Sequence, residues 1–226
     1  ELDQPIAPPG LLDIEAAIHK IPFPVVASVH GAVLGGGFLL ALMCDHRIAH
    51  ASARFGFPEV NLGLLPTFGG TQILPRLLDP AQAARMIVSG QSVDAGRALA
   101  LGLVDVLTEE SPLSAGITFA PAKPEKRRAL SLPWQGGERA RHKLASLRGE
   151  VVGRAPLFEA PIAAIDAVAF GFDAPLQKAI DYEHRLFETL RISDQSKCLR
   201  RLFFAERRAS KGAWATAPPS MSVPLS

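Results

Sequence analysis

The apolar positions change period along the chain, and the changes mark out its elements. Leu11, Leu12, Ile14, Ile18 and Ile21 recur at helical spacing, which predicts a short amphipathic helix. It follows a polar start rich in proline, with Pro5, Pro8 and Pro9, that reads as a loop. Val25 to Val29 is a continuous apolar run between Pro24 and His30-Gly31, the pattern of a buried strand. After Gly35-Gly36-Gly37, the apolar stretch Phe38 to Cys44 predicts a buried helix ending at Asp45. Arg47 to Ala49 and Ala53 to Phe57 read as short strands. Thr71 to Leu78 predicts a helix stopped by Asp79-Pro80. Proline suits the first turn of a new helix, so Ala81 to Ser89 is the next, ended by Gly90. Val93 to Ala100 predicts a third, closed by Gly102, and Leu103 to Leu107 a strand.

From Glu109 to Gly153 the period is lost. Pro112, Pro121, Pro124 and Pro133, with the basic cluster Lys123, Lys126, Arg127 and Arg128, read as a linker or exposed loop. Glu138 to Val152 has room for a helix. Periodicity returns at Ile162, Ile165 and Val168. Leu176, Ile180, Leu186, Phe187 and Leu190 then mark a long amphipathic helix, and Leu199, Leu202 and Phe203 another. Gly212 to Ser226 is a Pro/Ser/Ala tail expected to be disordered. The expected organisation is a core over 1–108, a linker or loop region over 109–153, a helical appendage over 154–211 and the tail over 212–226. Pattern alone supports the α/β class and nothing finer.

At 226 residues the chain is long enough for one domain with a substantial core. Its 24 basic residues nearly balance 22 acidic ones, so no nucleic-acid or membrane-surface partner is expected. Cys44 and Cys198 have no ligand spacing and point to a reducing compartment, not to a disulfide framework. No apolar run is long enough to span a bilayer and none has the form of a signal stretch, so a cytoplasmic location is the expectation. No pair of His, Cys, Asp or Glu has metal-site spacing, and neither G-x-S-x-G nor a Walker loop occurs.

Candidate chemistry gathers between Ile21 and Gln72. A strand, a glycine turn and an apolar helix aim backbone N–H groups from a helix N-terminus at an anion or carbonyl oxygen. Further on, Glu59 stands among apolar residues in FGFPEV, where desolvation raises a carboxyl pKa toward neutrality and suits it to proton transfer. A second glycine turn, Gly69-Gly70-Thr71, opens the next helix. Each feature has a plainer reading. The glycines could merely allow close strand–helix packing, and Glu59 could cap an exposed loop. His30 at a strand end suits structural hydrogen bonding, His46 suits a packed turn, and Asp45 suits a cap or a salt bridge.

The motifs VHGAVLGGG, CDHRIA, ARFGFPEVNLGLLPTFGGTQILPR and VSGQSVDAGRALALGLVD, in that order from about Pro22 to Val106, resemble the enoyl-CoA hydratase/isomerase (crotonase) family. The resemblance implies a ββα spiral and an acyl-CoA thioester substrate. Coenzyme A is then part of the substrate, and no separate cofactor is expected. It also implies that the start is truncated, because the family carries earlier strands and an Ala-Gly-Asp-like loop that supplies one of two N–H groups for the thioester oxygen. PIAAIDAVAFGFDAPLQKAIDYEHRLFETL and DQSKCLRRLFFAERRASK resemble the region after the hydratase/isomerase part of multifunctional fatty-acid oxidation enzymes. An NAD-binding part follows in those proteins; here no G-x-G-x-x-G follows a strand, so no NAD site is expected. A homo-oligomer or a larger β-oxidation assembly is left open.

By motif position, Glu59 becomes the proton carrier and the Gly36 N–H a donor to the enolate oxygen. The expected substrate-binding wall adds His30, Gly31, Gly35, Gly37 and Leu39, with Pro58, Leu62, Pro66 and Gly69 from the stretch around and after Glu59. Hydratases of the family carry a second glutamate as G-G-G-x-E, and this chain has Leu39 there. Leucine can neither position water nor donate a proton, so a 3-enoyl to 2-enoyl double-bond shift with one carboxylate is the favoured activity. A poor enoyl-CoA hydratase and an inactive binding or assembly module are its rivals. Arg54, Lys20 and the Lys123 to Arg128 cluster are candidates for coenzyme A phosphates, although a charged run is ordinarily a solvated face.

Overall fold

The computed structural model describes residues 10–119, 125–134, 136–154 and 157–210. The loop reading at Pro5, Pro8 and Pro9, the residues Pro121, Lys123 and Pro124, and the 212–226 tail lie outside them.

Helix α1 (Leu11–Lys20) leads into β1 (Val26–Val29), β2 (Ala32–Leu34) and α2 (Gly36–Met43). The next pair of strands is β3 (His46–His50) and β4 (Arg54–Gly56). A 3-10 turn over Glu59–Leu62 precedes α3 (Gly70–Leu77) and α4 (Pro80–Ser89). Then follow β5 (Val93–Asp94), α5 (Ala95–Ala100) and β6 (Val106–Thr108). Two three-stranded sheets result, in the orders β1-β3-β6 and β2-β4-β5. The pairings are parallel except the antiparallel β4–β5. The chain steps from one sheet to the other between β1 and β2 and between β3 and β4, returning through α2; α3 and α4 lead back to the second sheet at β5, and α5 crosses to the first at β6. Helix α2 is apolar on every side and largely enclosed: Phe38, Leu39, Leu42 and Met43 are buried, while Leu40 and the two leading glycines are exposed. The Phe38 ring packs on Phe55 and Phe57, at centroid separations of 5.6 and 5.0 Å.

At α4 the Pro80 start and Gly90 stop fall where the sequence pattern places them. Asp79 caps its N-terminus, accepting from Ala81 N at 3.1 Å and Gln82 N at 3.2 Å; Pro80 fills the first turn, and Gly90 ends the helix at φ +61°. Two strands escaped the pattern. β2 is three residues long and β5 only two, too short to show an alternation, and β5 opens what was expected to be helix from Val93.

The described residues of the span 109–153, expected to be a linker or loop, include regular structure. They hold α6 (Pro112–Phe119), a 3-10 turn over Ala129–Ser131 and α7 (Gly137–Arg154). Beyond it lie α8 (Glu159–Asp173), α9 (Leu176–Ile192) and α10 (Asp194–Ser210). These last helices have no core of their own. Ala160, Ile165, Val168 and Phe187 join one hydrophobic cluster with Phe38, Leu74 and Ile87. Small residues on facing helices, Ala83 and Ala84 of α4 and Ala164 of α8, are buried where the two pack.

Lys126, Arg127 and Arg128 are exposed, yet each is held by specific partners. Lys126 Nζ donates to the carbonyls of Ile18, Ile21 and Phe23. Arg127 N donates to Asp45 Oδ1 at 2.7 Å, and its guanidinium reaches Asp105 at 2.6 Å. Arg128 grips Glu15 with two hydrogen bonds. Asp45 is fully buried and also accepts from Val25 N at 2.8 Å, so it joins the start of β1 to this later segment. His46 is the first residue of β3, not part of a turn, and its Nε2 meets the Glu125 carbonyl at 2.9 Å. Removing one side of such a buried network leaves N–H groups unsatisfied. Asp45→Ala is expected to lower unfolding free energy by about 3–5 kcal/mol in a urea titration, well beyond an exposed-residue control.

Candidate active site

Three turns bring the site together. The first is Gly35, which stands at φ +55° and ψ −128°, a conformation open in practice to glycine alone. Its N–H donates to the Gly56 carbonyl at 2.9 Å, anchoring the entry to α2 on the end of β4. A Cβ at Gly35 would lie 2.8 Å from Glu59 Oε1. Any side chain there would strike the carboxylate, so this glycine makes room for the acid as well as for the turn. Gly36 and Gly37 follow in the first turn of α2, where N–H groups have no helical acceptor. Both are exposed.

The second turn carries Glu59, at the head of the 3-10 segment after Pro58. Its side chain enters a cavity of about 220 Å³ whose wall includes Gly35, Gly36, Leu39, Leu62 and Pro66. Aromatic rings from Phe57, Phe68 and Phe187 complete it. The residue is half-buried, but its Oε2 is shielded from solvent and has no hydrogen-bond partner. Burial raises the Glu59 pKa from 4.5 to about 7, with its own backbone N–H pulling weakly the other way. Leu39, 2% exposed, presents hydrocarbon to the same cavity.

The third turn runs from Pro66 to Thr71, and its Pro66, Thr67 and Phe68 form another part of the wall. Phe68 has φ +58°, a left-handed conformation that costs a non-glycine residue about 1–2 kcal/mol. Gly69 lies at φ +88° and starts α3. Its N–H points away from the cavity to Glu183 Oε1, at 2.7 Å.

The structure thus brings Glu59, Gly35, Gly36, Leu39, Leu62 and Pro66 together around one cavity. It does not bring the others. His30 is exposed beyond the end of β1, Gly31 supplies a carbonyl to Arg54 N, and Pro58, Gly37 and Gly69 are not part of the cavity wall. Of the phosphate candidates, Arg54 donates to Ser92 Oγ at 3.1 Å, and Lys126, Arg127 and Arg128 are engaged as described. Sequence reasoning missed Phe187 as a wall residue and Glu183 altogether. Glu183 is fully buried on α9, and burial raises its pKa to about 7 against three opposing hydrogen bonds. A signal existed: Ile180, Glu183, Phe187 and Leu190 share one helical stripe, so an acid occupies a core position.

The family model described as enoyl-CoA hydratase/isomerase matches residues 3–118, just over half of the chain. The chain belongs to the enoyl-CoA hydratase/isomerase family. It is 40% identical over 217 residues to the peroxisomal bifunctional enzyme of Danio rerio, an alignment covering 93% of this chain and 30% of that protein. It is 39% identical over 203 residues to the peroxisomal bifunctional enzyme of Homo sapiens, covering 88% and 28%. The chain therefore spans less than a third of the length of these relatives. The crystal structure of an enoyl-CoA hydratase/isomerase from Pseudoalteromonas atlantica T6c superposes with a TM-score of 0.60 at 22% identity, over 91% of this chain and 73% of that one. That likeness shows the crotonase fold. Among the described residues no helix is long and apolar enough to cross a membrane. The relatives are named for the peroxisome, so they lend the cytoplasmic expectation no support.

An acid held protonated up to about pH 7 costs the fold something once it ionises. The unfolded chain loses this proton near pH 4.5 and the folded one near 7, so stability falls as pH rises through that interval. Glu59→Gln is expected to relieve the loss. Thermal melts should show the variant more stable than the parent at pH 8, by up to about 3 kcal/mol, with the advantage shrinking toward pH 4.5.

Proposed function

We infer that this chain binds an acyl-CoA thioester and moves its double bond from the 3,4 to the 2,3 position, as in fatty-acid β-oxidation. One observation carries the reading: the cavity holds a single carboxylate, with an unpartnered oxygen, and Leu39 occupies the opposite role. The Glu59 carboxylate takes a proton from C2 of the 3-enoyl thioester. The electron pair spreads over a dienolate whose charge rests largely on the thioester oxygen. The Gly36 N–H, unpaired in the first turn of α2, donates to that oxygen; one such donor typically lowers the barrier by about 3 kcal/mol. Glu59, now a carboxylic acid, returns the proton at C4, and the double bond closes between C2 and C3. A pKa near 7 suits both halves, since the same group must accept and release within one turnover.

Hydration is disfavoured by the same wall. Addition of water across C2–C3 is helped by acid/base groups at both carbons, and loss of one costs about 10²–10⁴ in rate. Leu39 supplies none. A poor hydratase and an inert binding or assembly module are the remaining readings. Family membership and the bifunctional relatives support acyl-CoA chemistry in general and do not separate the activities. Their peroxisomal name favours a fatty-acid-oxidising compartment over the cytoplasmic location expected from sequence.

The discriminating experiment offers 3-enoyl-CoA and 2-enoyl-CoA separately to the purified protein. Isomerisation of the first is expected to exceed hydration of the second. Dominant hydration would reverse the assignment. Glu59→Gln should reduce the isomerase kcat by about 10²–10⁴ while the protein stays folded; unchanged turnover would remove Glu59 from the mechanism. Because the base must be ionised to act, kcat/KM should rise with pH through a midpoint near 7.

A further inference from the structure

Glu183 takes no part in the proton transfer just described, yet three donors tie it to the segment that directly follows the wall residue Phe68. Gly69 N donates to Oε1 at 2.7 Å, and Thr71 N and Oγ1 donate to Oε2 at 2.8 and 2.6 Å. Placing a carboxylate at a core position of α9 is costly unless its oxygens are fully engaged. These donors belong to the turn that immediately follows Phe68.

Phe68 is the residue that needs holding. It is the described non-glycine residue with positive φ, at +58°, and its ring lines the cavity. Its Cε1 lies 2.8 Å from where a Cβ at Gly10 would stand, so the ring fills the approach from the start of α1. A strained backbone of this kind persists only where the surroundings over-determine it. Gly69 and Thr71, one and three residues on, are both fixed by the same carboxylate. Phe187, one helical turn after Glu183, sends a second ring into the cavity from the same helix.

We propose that Glu183 is a positioning residue: through Gly69 and Thr71 it holds the Phe68 turn, so that the ring closes the cavity over Glu59. It acts through the wall and does not touch the substrate. Its use in catalysis rests on the reading of Glu59 as proton carrier. The raised Glu59 pKa has desolvation as its main cause, so a loosened wall that admits water should lower it.

Other charges do not supply that shift. Among the described residues no second charged side chain lines the cavity, and no charged group enters the causes at Glu59 or Glu183. On the elements around the 59–62 turn and the cavity, Glu15 of α1 pairs with Arg128 and Arg85 of α4 with Glu150. Arg76 of α3 donates to the Gln72 carbonyl, and Glu188 of α9 pairs with Arg191. On α10, Arg200 donates to Ser196 Oγ and Lys197 pairs with Asp194. Helix α2 has no charged residue.

The test reads Glu59 directly. Carboxyl carbons of glutamate are followed by NMR across pH in the full chain, with Glu59 assigned as the signal lost in Glu59→Gln. In Glu183→Gln, which cannot accept from all three donors, the Glu59 midpoint should fall from about 7 by at least one unit. The acidic limb of kcat/KM should move with it. Thr71→Val, which keeps the amide and removes the hydroxyl, should shift the midpoint the same way by less, and Thr71→Ser should restore it. A purely structural role predicts a lower melting temperature with the midpoint unmoved. That result in folded Glu183→Gln, or in folded Thr71→Val should the first variant not fold, overturns the proposal. If the midpoint moves as expected while Glu59→Gln keeps full activity, the catalytic reading fails and the control of the wall stands.

Discussion

The site depends on one unbalanced interaction: a carboxylate pressed into hydrocarbon with an oxygen left unpartnered. Burying a polar group without a hydrogen bond opposes folding, and most proteins avoid it. Here the surroundings make it unavoidable. Gly35, in a conformation that excludes side chains, leaves room for Oε1 of Glu59, and a Cβ in its place would collide. Phe38 locks α2 against Phe55 and Phe57, and Phe57 itself forms part of the wall facing the acid. The glycine turn, the apolar helix and the desolvated acid are therefore one device.

The basic segment after α6 shows how charge serves the frame instead of a ligand. Lys126, Arg127 and Arg128 lie in a stretch whose composition suggests a loop, and they close the spiral from outside. They tie α1, the start of β1, the α2–β3 junction and the strand entry at Asp105 to one another. These contacts fix the ends of the elements that carry Gly35 and Gly36. A carbonyl cluster receiving an ammonium, and a buried carboxylate receiving backbone N–H groups, are specific pairings that a count of lysines and arginines cannot reveal.

Much of the fold was legible, and the exceptions have physical causes. Longer elements with a clear apolar stripe, α1, α4 and α9, follow from spacing because burial of one face decides them; α10 is helical as expected, but the residues it buries are Ser196 and Arg200 and not its apolar ones. The strands β2 and β5 do not, since two or three residues carry no period. Glu59 and Leu39 could be placed in one site because the motif fixes their separation along the chain. His30, Gly37 and Gly69 were placed with them by motif position, and they are not among the residues that line the cavity. Glu183 was illegible for the opposite reason. Its partners lie 112 and 114 residues earlier, and only the packing of α9 on α3 makes them neighbours.

That long-range pairing changes what the C-terminal helices are. A segment that merely appended itself to a finished spiral would bury apolar residues and leave the cavity untouched. Helix α9 instead contributes Phe187 to the cavity wall and a buried acid to the turn beside it. The core of 1–108 and the helices after 154 share one hydrophobic cluster, so the cavity is not a property of the spiral alone. Hydrocarbon from α9 helps exclude water from Glu59, and exclusion of water is what lifts its pKa. The acid's chemistry and the packing of a helix more than 100 residues away in sequence are consequently a single energetic problem. A substitution that improves the fit of α9 acts on the proton as well as on the fold.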